Sequence, residues 1–152
     1  MSDAAAERGP RVLRDLGVDD LDALLALLQQ LNPGDALPSP EVARAVMAHA
    51  GLRHFGLWEG DLLVATCNLA TVPNLTRGGR SYGVIENVVT HEAHRGRGHG
   101  QAVVRHAIEQ AWAGGCYKVV LTTSRQDPAV WAFYERCGFA AHDKRAFVIR
   151  RP

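Results

Sequence analysis

The chain has 152 residues, a formal net charge of +1, 47% hydrophobic residues and 22% charged residues. This length suits one domain with its own core. The near-neutral charge excludes a broad basic field that would recruit nucleic acid or an anionic membrane. No apolar run approaches the roughly 20 residues of a membrane helix. Residues 1–10 lack the apolar stretch of a signal peptide, so we expect a cytoplasmic protein with a disordered tail over 1–10 and a single domain over 11–152.

Local signals in the first half predict helices and strands in alternation. Asp20 suits a helix N-terminus ahead of leucines at helical spacing, and Ser39 followed by Pro40 suits the start of a second helix. Gly60 and Asp61 form the turn of a predicted hairpin. The predicted elements are a strand over 11–16, helices over 19–31 and 39–49, and strands over 54–59, 62–71 and 81–90.

In the second half, a long amphipathic segment ends at Gly114 and Gly115, and a shorter one begins at Pro128. The predicted elements are a helix over 98–114, a strand over 117–123, a helix over 128–137 and a last strand over 146–150. This order indicates one mixed α/β domain without internal repeats.

Cys67, Cys116 and Cys137 make an odd number and contain no C-x-x-C pair. This argues against a disulfide framework and against a zinc ribbon. All three lie in apolar strand-like runs or at a helix end, so we predict that they are buried as small hydrophobic residues.

A glycine-rich stretch over residues 94–101, with the sequence HRGRGHGQ, joins a β-branched strand to the long helix. Its alternate glycines leave the backbone open to a ligand, and the first turn of a helix favours an anion. The dinucleotide pattern G-x-G-x-x-G fails because Gln101 takes its final position, and the P-loop pattern G-K-[ST] is absent. The pattern that does fit is R-x-x-G-x-G, beginning at Arg95.

On these residues the chain resembles the GNAT superfamily of acyl-CoA-dependent N-acyltransferases. Residues 133–139, FYERCGF, resemble the closing helix motif of that superfamily at the usual separation, and the element order matches over about residues 11–150. The resemblance implies a mixed, mostly antiparallel sheet of 6–7 strands flanked by about four helices. It also implies a splayed strand pair that admits the cofactor, and a homodimer.

The resemblance further implies that acetyl-CoA is the co-substrate, bound without a metal. Backbone N–H groups of the loop would bind the pyrophosphate, and the strand before the loop would pair with the pantetheine arm. The implied cofactor-binding residues are Val88, Val89, Thr90, Arg95, Gly96, Arg97, Gly98, His99, Gly100, Gln101 and Ser124.

Within the superfamily, residues 84–89, 116–119 and 133–139 resemble glucosamine-6-phosphate N-acetyltransferases. Those enzymes carry an acidic residue directly after the strand glutamate, where this chain has Asn87. We therefore expect a small primary amine as the acceptor, with an amino sugar phosphate as one candidate. The loops over residues 32–37 and 74–80 are expected to rim the acceptor site. The candidate acceptor-binding residues are Asn87, Arg77, Arg80 and Arg150, the arginines also being compatible with a solvated surface.

Acetyl transfer needs a base for the ammonium, donors for the oxyanion and a proton for the leaving thiolate. Glu86 is the only acid in an apolar strand, where a carboxylate is costly unless it faces water or a partner. We predict that Glu86 is the base or orients the substrate, an exposed or structural glutamate being the alternative. Tyr134 is the candidate acid, because a phenol with a pKa near 10 is protonated at neutral pH; packing alone is its alternative. By resemblance, the N–H of Val88 or Val89 serves the oxyanion.

The histidines near the loop do not predict a metal site. His91 and His94 are one residue too close for the H-E-x-x-H pattern, and they precede the helix. We predict that His99 is a solvent-exposed loop histidine. Two other functions stay open on the sequence: a protein or peptide N-acetyltransferase, and a non-catalytic acyl-CoA-binding module.

Overall fold

An open five-stranded sheet, with its strands side by side in chain order, organises the protein. The computed structural model describes residues 9–152. The first four strands pair antiparallel, and the fifth lies parallel to the fourth. The strands are β1 (Arg11–Asp15), β2 (Leu52–Glu59), β3 (Leu62–Val72), β4 (Tyr82–Thr90) and β5 (Val119–Val120), and the helices are α1 (Leu21–Leu31), α2 (Pro40–Met47), α3 (His99–Ala113) and α4 (Pro128–Arg136).

Helices cover both faces of the sheet, so the protein has two apolar layers. On one face, Val103 and Val104 of α3 pack with Phe55 and Ile85. On the other, the leucines of α1 pack with Val89. Because successive side chains of a strand point to opposite faces, a strand between two such layers is buried throughout. This accounts for the seven consecutive buried residues of β3.

The helix signals in the sequence are confirmed. The Ser39 hydroxyl accepts a hydrogen bond from the Val42 N–H at 3.2 Å, and Pro40 is the first residue of α2. A short 3-10 turn over Val18–Asp20 precedes α1, and the Asp20 carboxylate there accepts from Gly17 N–H at 2.9 Å. These caps are local, which is why the sequence is enough to place them.

The prediction of 6–7 strands is wrong, because the described sheet has five. The expected strand over residues 146–150 is absent, and Phe147, Val148 and Ile149 are 89%, 69% and 97% exposed. A strand needs a neighbour with free N–H and C=O groups. The two-residue β5 offers too short an edge to pair with this apolar segment.

The strand expected over residues 117–123 is also much shorter than predicted. β5 pairs with β4 only through Gly83 with Val119 and Val84 with Val120. Beyond Val84, β4 continues to Thr90 with no described strand beside it on that side. This leaves the gap that a splayed strand pair implies.

The predicted disordered tail over residues 1–10 lies mostly outside the described residues. Of the two that are described, Pro10 accepts a hydrogen bond from Gly60 N–H at 3.1 Å. No described helix combines the length and the apolar character needed to cross a membrane.

Candidate active site

The glycine-rich loop forms the N-terminal end of α3. Gly98 caps the helix in the left-handed region, at φ +81°, a conformation that costs other residues about 1–2 kcal/mol. The Arg95 side chain donates to the Thr90 carbonyl at 3.3 Å and so holds the loop to the end of β4. Since the first N–H groups of a helix have no partner within it, this exposed loop can present donors to an anion.

Gly100 brings the first turn of α3 against its neighbours. A Cβ at this position would lie 2.8 Å from Thr90 Oγ1 and 3.3 Å from the Phe133 ring. The loop is therefore fixed between the end of β4 and α4. The alternate glycines leave the loop backbone uncovered, so a phosphate group could approach it here, beside the free edge of β4.

Three predicted cofactor residues lie on that edge. Val88 is half-buried, Val89 is buried against α1, and Thr90 ends the strand next to the loop. Ser124 is exposed in the irregular segment after β5, and no hydrogen bond joins it to the loop. The structure thus brings the strand and the loop together.

A bulge in β4 lies beside the predicted base. The β3–β4 register passes from Asn68 opposite Glu86 to Thr66 opposite Val89, so that Asn87 and Val88 together face one residue of β3. Asn87 takes φ +53°. Asparagine and aspartate tolerate this left-handed region better than other non-glycine residues. The geometry therefore explains why either an acid or an asparagine fits at this position.

We expect Asn87→Val to destabilise the protein by about 1–2 kcal/mol, because a β-branched side chain is strained at positive φ. Asn87→Gly relieves that strain and should stay close to the parent in the midpoint of urea unfolding. Equal losses for the valine and glycine variants would show that the Asn87 side chain, and not the backbone conformation, stabilises the bulge.

A cavity of about 250 Å³ lies between the sheet and the α1–α2 pair. Its floor contains His54, Asn68 and Asn87. His54 pairs with Asn68 and Asn68 pairs with Glu86 across the three strands, so these side chains share one face of the sheet. The remaining lining residues come from the two helices and the loop between them: Leu21, Leu24, Leu25, Leu28, Gln29, Leu31, Asn32, Asp35, Ala36, Leu37, Pro38, Ala43, Val46 and Met47.

His54 is a functional candidate that the sequence analysis missed. Its side chain is buried, and its Nε2 atom has no hydrogen-bond partner among the described residues. Burial lowers the pKa of His54, so the imidazole is neutral at neutral pH. An unpaired buried polar atom costs about 1–3 kcal/mol, which a ligand atom in the cavity would recover. In the sequence, His54 looked like an ordinary residue at a strand end, and only the strand register places it in the cavity.

The two predicted catalytic residues come from different elements, Glu86 from β4 and Tyr134 from α4. Glu86 is exposed and neighbours the cavity residues Asn68 and Asn87. Tyr134 is half-buried, with its ring centroid 5.0 Å from Phe133 and 6.3 Å from Phe139 in edge-to-face contacts. Burial raises the pKa of the Tyr134 phenol above its ordinary value, and the charge of Glu86 acts in the same direction. The phenol is therefore protonated at neutral pH and can donate.

The structure does not place the candidate arginines in the cavity. Arg80 donates to the Arg77 carbonyl at 3.3 Å, and the Arg77 guanidinium lies 5.7 Å from the centre of the Tyr117 ring. Arg150 is exposed in the unpaired C-terminal segment. Of the two loops expected to rim the acceptor site, residues 32–37 contribute to the lining described above and residues 74–80 do not.

The three cysteines are buried and free, as predicted. Burial raises the pKa of Cys67 to about 12, and it also raises the pKa of Cys116 and Cys137. Thiols in this state are poor nucleophiles, which disfavours an acyl-cysteine intermediate.

The prediction of an exposed His99 is wrong, since this residue is 2% exposed. It is the first residue of α3, and its side chain points inward to Glu59 instead of outward from the loop. Glu59, His94 and His99 form a buried cluster whose nitrogen and oxygen atoms lie within 4.8 Å of one another. Glu59 could not be linked to the loop from the sequence, because it lies at the end of β2, far from the loop in the chain.

Comparisons with known proteins bear on the family of the chain. Residues 21–139 match the acetyltransferase (GNAT) family. The chain is 35% identical over 137 residues to a glucosamine 6-phosphate N-acetyltransferase of Trypanosoma brucei brucei, covering 88% of this chain and 91% of that protein. It is 38% identical over 146 residues to a probable glucosamine 6-phosphate N-acetyltransferase 2 of Oryza sativa subsp. japonica, covering 90% and 86%.

A solved structure of a putative acetyltransferase from Agrobacterium tumefaciens str. C58 superposes with a TM-score of 0.86 at 53% identity, covering 92% of this chain and 99% of that one. An acetyltransferase of Trypanosoma brucei superposes with a TM-score of 0.79 at 31% identity, covering 93% and 100%. These matches confirm the fold class and the kind of enzyme expected from the loop and the closing helix. The chain belongs to the GNAT family and is an N-acetyltransferase.

Proposed function

We propose that the protein transfers an acetyl group from acetyl-CoA directly to a small primary amine, with both substrates bound at once. The observation that carries this proposal is that the strand β4 borders both the glycine-rich loop and the cavity. The free edge of β4 runs to the glycine-rich loop, and the bulge of the same strand opens onto the cavity beside α1 and α2. A donor on the edge and an acceptor in the cavity would meet at Asn87.

On the donor side, backbone N–H groups of residues 95–101 hold the pyrophosphate, and residues 88–90 pair with the pantetheine arm. This assignment is supported by the positive φ of Gly98, the close packing at Gly100 and the unpaired edge of β4. The N–H of Val88 or Val89, at the bulge, is the donor for the oxyanion of the tetrahedral intermediate.

On the acceptor side, Glu86 takes the proton that the ammonium must lose before its nitrogen can attack the thioester carbon. A C–N bond then forms and the C–S bond breaks, and Tyr134 gives its proton to the departing thiolate. The nitrogen loses its second proton as it becomes an amide, and this proton restores the Tyr134 phenol. The row of His54, Asn68 and Glu86 across the sheet supports this direction of approach, because His54 and Asn68 line the cavity and Glu86 is the next residue of the row, beside the bulge.

The names of the relatives make glucosamine 6-phosphate a candidate acceptor. The charges of the cavity lining make it useful to compare glucosamine with glucosamine 6-phosphate as acceptors. Among the described residues that line the cavity, none is a lysine or an arginine and His54 is neutral, whereas Asp35 is acidic. A phosphate would therefore need a cation from elsewhere, and Arg150 on the C-terminal segment is our candidate.

The proposal includes a cytoplasmic homodimer in which the C-terminal segment contributes to the contact. The support for the dimer is the exposed apolar run over residues 147–149, which has no partner strand among the described residues. Pairing in a dimer would cover this run and would carry Arg150 with it.

The direct test mixes the protein with acetyl-CoA and a panel of amines while free thiol is followed. The panel contains glucosamine, glucosamine 6-phosphate, uncharged aliphatic amines and a peptide with a free N-terminus. We expect thiol release with at least one small amine. Release only with the peptide would support a peptide N-acetyltransferase. CoA binding without release for any amine would favour a non-catalytic acyl-CoA-binding module.

We expect Tyr134→Phe to lower kcat about 100-fold, because the thiolate then leaves without a proton from the enzyme. Since burial raises the pKa of Tyr134, the parent enzyme should not lose activity through this group below pH 10. Tyr82→Phe, which removes a hydroxyl at the start of β4, is the matched control. Parent-like turnover of Tyr134→Phe would leave Tyr134 as a packing residue.

A further inference from the structure

The buried cluster below the loop offers an inference that rests on the proposed function of the loop. Glu59 has a side chain only 6% exposed and lies at the end of β2. Its Oε2 is 3.1 Å from His94 Nδ1, within a hydrogen bond, and its Oε1 is 3.1 Å from His99 Nε2, a close contact that lacks hydrogen-bond geometry. Within the glycine-rich stretch, His94 precedes and His99 follows the segment 95–98, which contains Gly96 and Gly98. One carboxylate thus contacts both ends of the four-residue segment 95–98.

We propose that Glu59 is a positioning residue that holds the loop in the shape needed to bind the pyrophosphate of acetyl-CoA. The segment between the two histidines contains two glycines with positive φ, which gives it wide conformational freedom when it is unrestrained. Fixing both ends at one buried group removes much of that freedom before the donor arrives. A preorganised loop then binds without losing this entropy in the complex.

The charges around the cluster favour this role over a metal site. Arg11, the cross-strand partner of Glu59, donates to its Oε1 at 3.1 Å, and the Arg97 guanidinium lies 3.4 Å from His94 Nδ1. These two guanidinium groups supply the positive charge that a cation would bring. Burial opposes ionisation of Glu59, but the positive groups around it outweigh burial and lower the pKa of the carboxyl, so the carboxylate is present at neutral pH. Burial in turn lowers the pKa of His99, so Arg11 is the cation that pairs with the carboxylate at neutral pH.

The test is Glu59→Gln, which keeps the shape of the side chain and removes its charge. Two donors are compared: acetyl-CoA, and S-acetyl-pantetheine, which lacks the pyrophosphate and the nucleotide. We expect the KM for acetyl-CoA to rise about tenfold with kcat within about twofold of the parent, because a misplaced loop weakens binding and spares the chemistry. The kinetic constants for S-acetyl-pantetheine should stay those of the parent.

His94→Gln removes one of the two contacts and should raise the KM for acetyl-CoA by a smaller factor. Glu109→Gln, an equal change of charge at an exposed position of α3, should leave all constants unchanged. Thermal unfolding of each variant shows whether the fold is kept, and the His94 variant preserves the test if Glu59→Gln does not fold.

Two results would overturn the inference. One is a Glu59 variant that binds acetyl-CoA as tightly as the parent, or that loses equal activity with both donors. The other is stoichiometric Zn²⁺ binding by the parent, measured by calorimetry and lost in Glu59→Gln, which would make the cluster a metal site. A parent protein that binds no acetyl-CoA at all would instead refute the proposed function.

Discussion

Glu86→Gln is expected to lower kcat for amine acetylation by about 100- to 1,000-fold, the range of a lost general base. Glutamine keeps the size of the side chain and can still donate or accept hydrogen bonds, but it cannot take the proton from the ammonium. The dissociation constant of CoA should not change, because Glu86 lies on the cavity face of β4 and away from the loop. Both quantities can be measured by thiol release and by calorimetry.

The dependence of this loss on the acceptor distinguishes a base from an orienting residue. An amine whose conjugate acid has a pKa below the assay pH is already neutral when it binds. The loss of kcat caused by Glu86→Gln should therefore be smaller for weakly basic amines and largest for strongly basic ones. A constant deficit across the series would mean that Glu86 orients the acceptor, and an unchanged rate would remove it from the mechanism. Glu109→Gln again serves as the control for loss of a negative charge.

The parts of the fold that the sequence predicts well are those with local causes. The start of α2 depends on Ser39 and Pro40 alone, and the end of α3 depends on the glycines that follow it. The prediction of a strand over residues 146–150 was wrong because a strand depends on a non-local partner. The apolar pattern of these residues is that of a strand, but a strand is completed by a partner, and the pattern does not say whether a partner edge exists.

The same distinction separates the two halves of the candidate site. The loop could be found because its chemistry is in the backbone and its glycines alternate within one short stretch of the chain. The row of side chains at the cavity could not, because His54 and Asn68, which line it, and the neighbouring Glu86 come from three strands and meet only through the register. Glu59 likewise could not be linked to the loop, since its partners His94 and His99 follow it by more than thirty residues.

Gly98→Ala is expected to weaken CoA binding by about 5- to 30-fold, which corresponds to the 1–2 kcal/mol cost of the left-handed conformation for alanine. Gly98 caps α3 at φ +81°, and a Cβ there would meet no atom within 4 Å. The substitution therefore adds backbone strain and no clash. The free protein can relieve the strain by turning the loop N–H groups away. CoA binding must then return these groups to the strained conformation, so the strain energy is subtracted from the free energy of binding.

Gly115→Ala provides a matched control at the other end of the same helix. Gly115 has φ +80° and open space around its Cβ position, so alanine there meets nearly the same strain without touching the loop. We expect both variants to lose similar stability in urea unfolding and only Gly98→Ala to lose affinity for CoA, measured by calorimetry. If both lose affinity equally, general destabilisation explains the effect. If Gly98→Ala binds CoA as the parent does, the pyrophosphate is held somewhere other than the loop before α3.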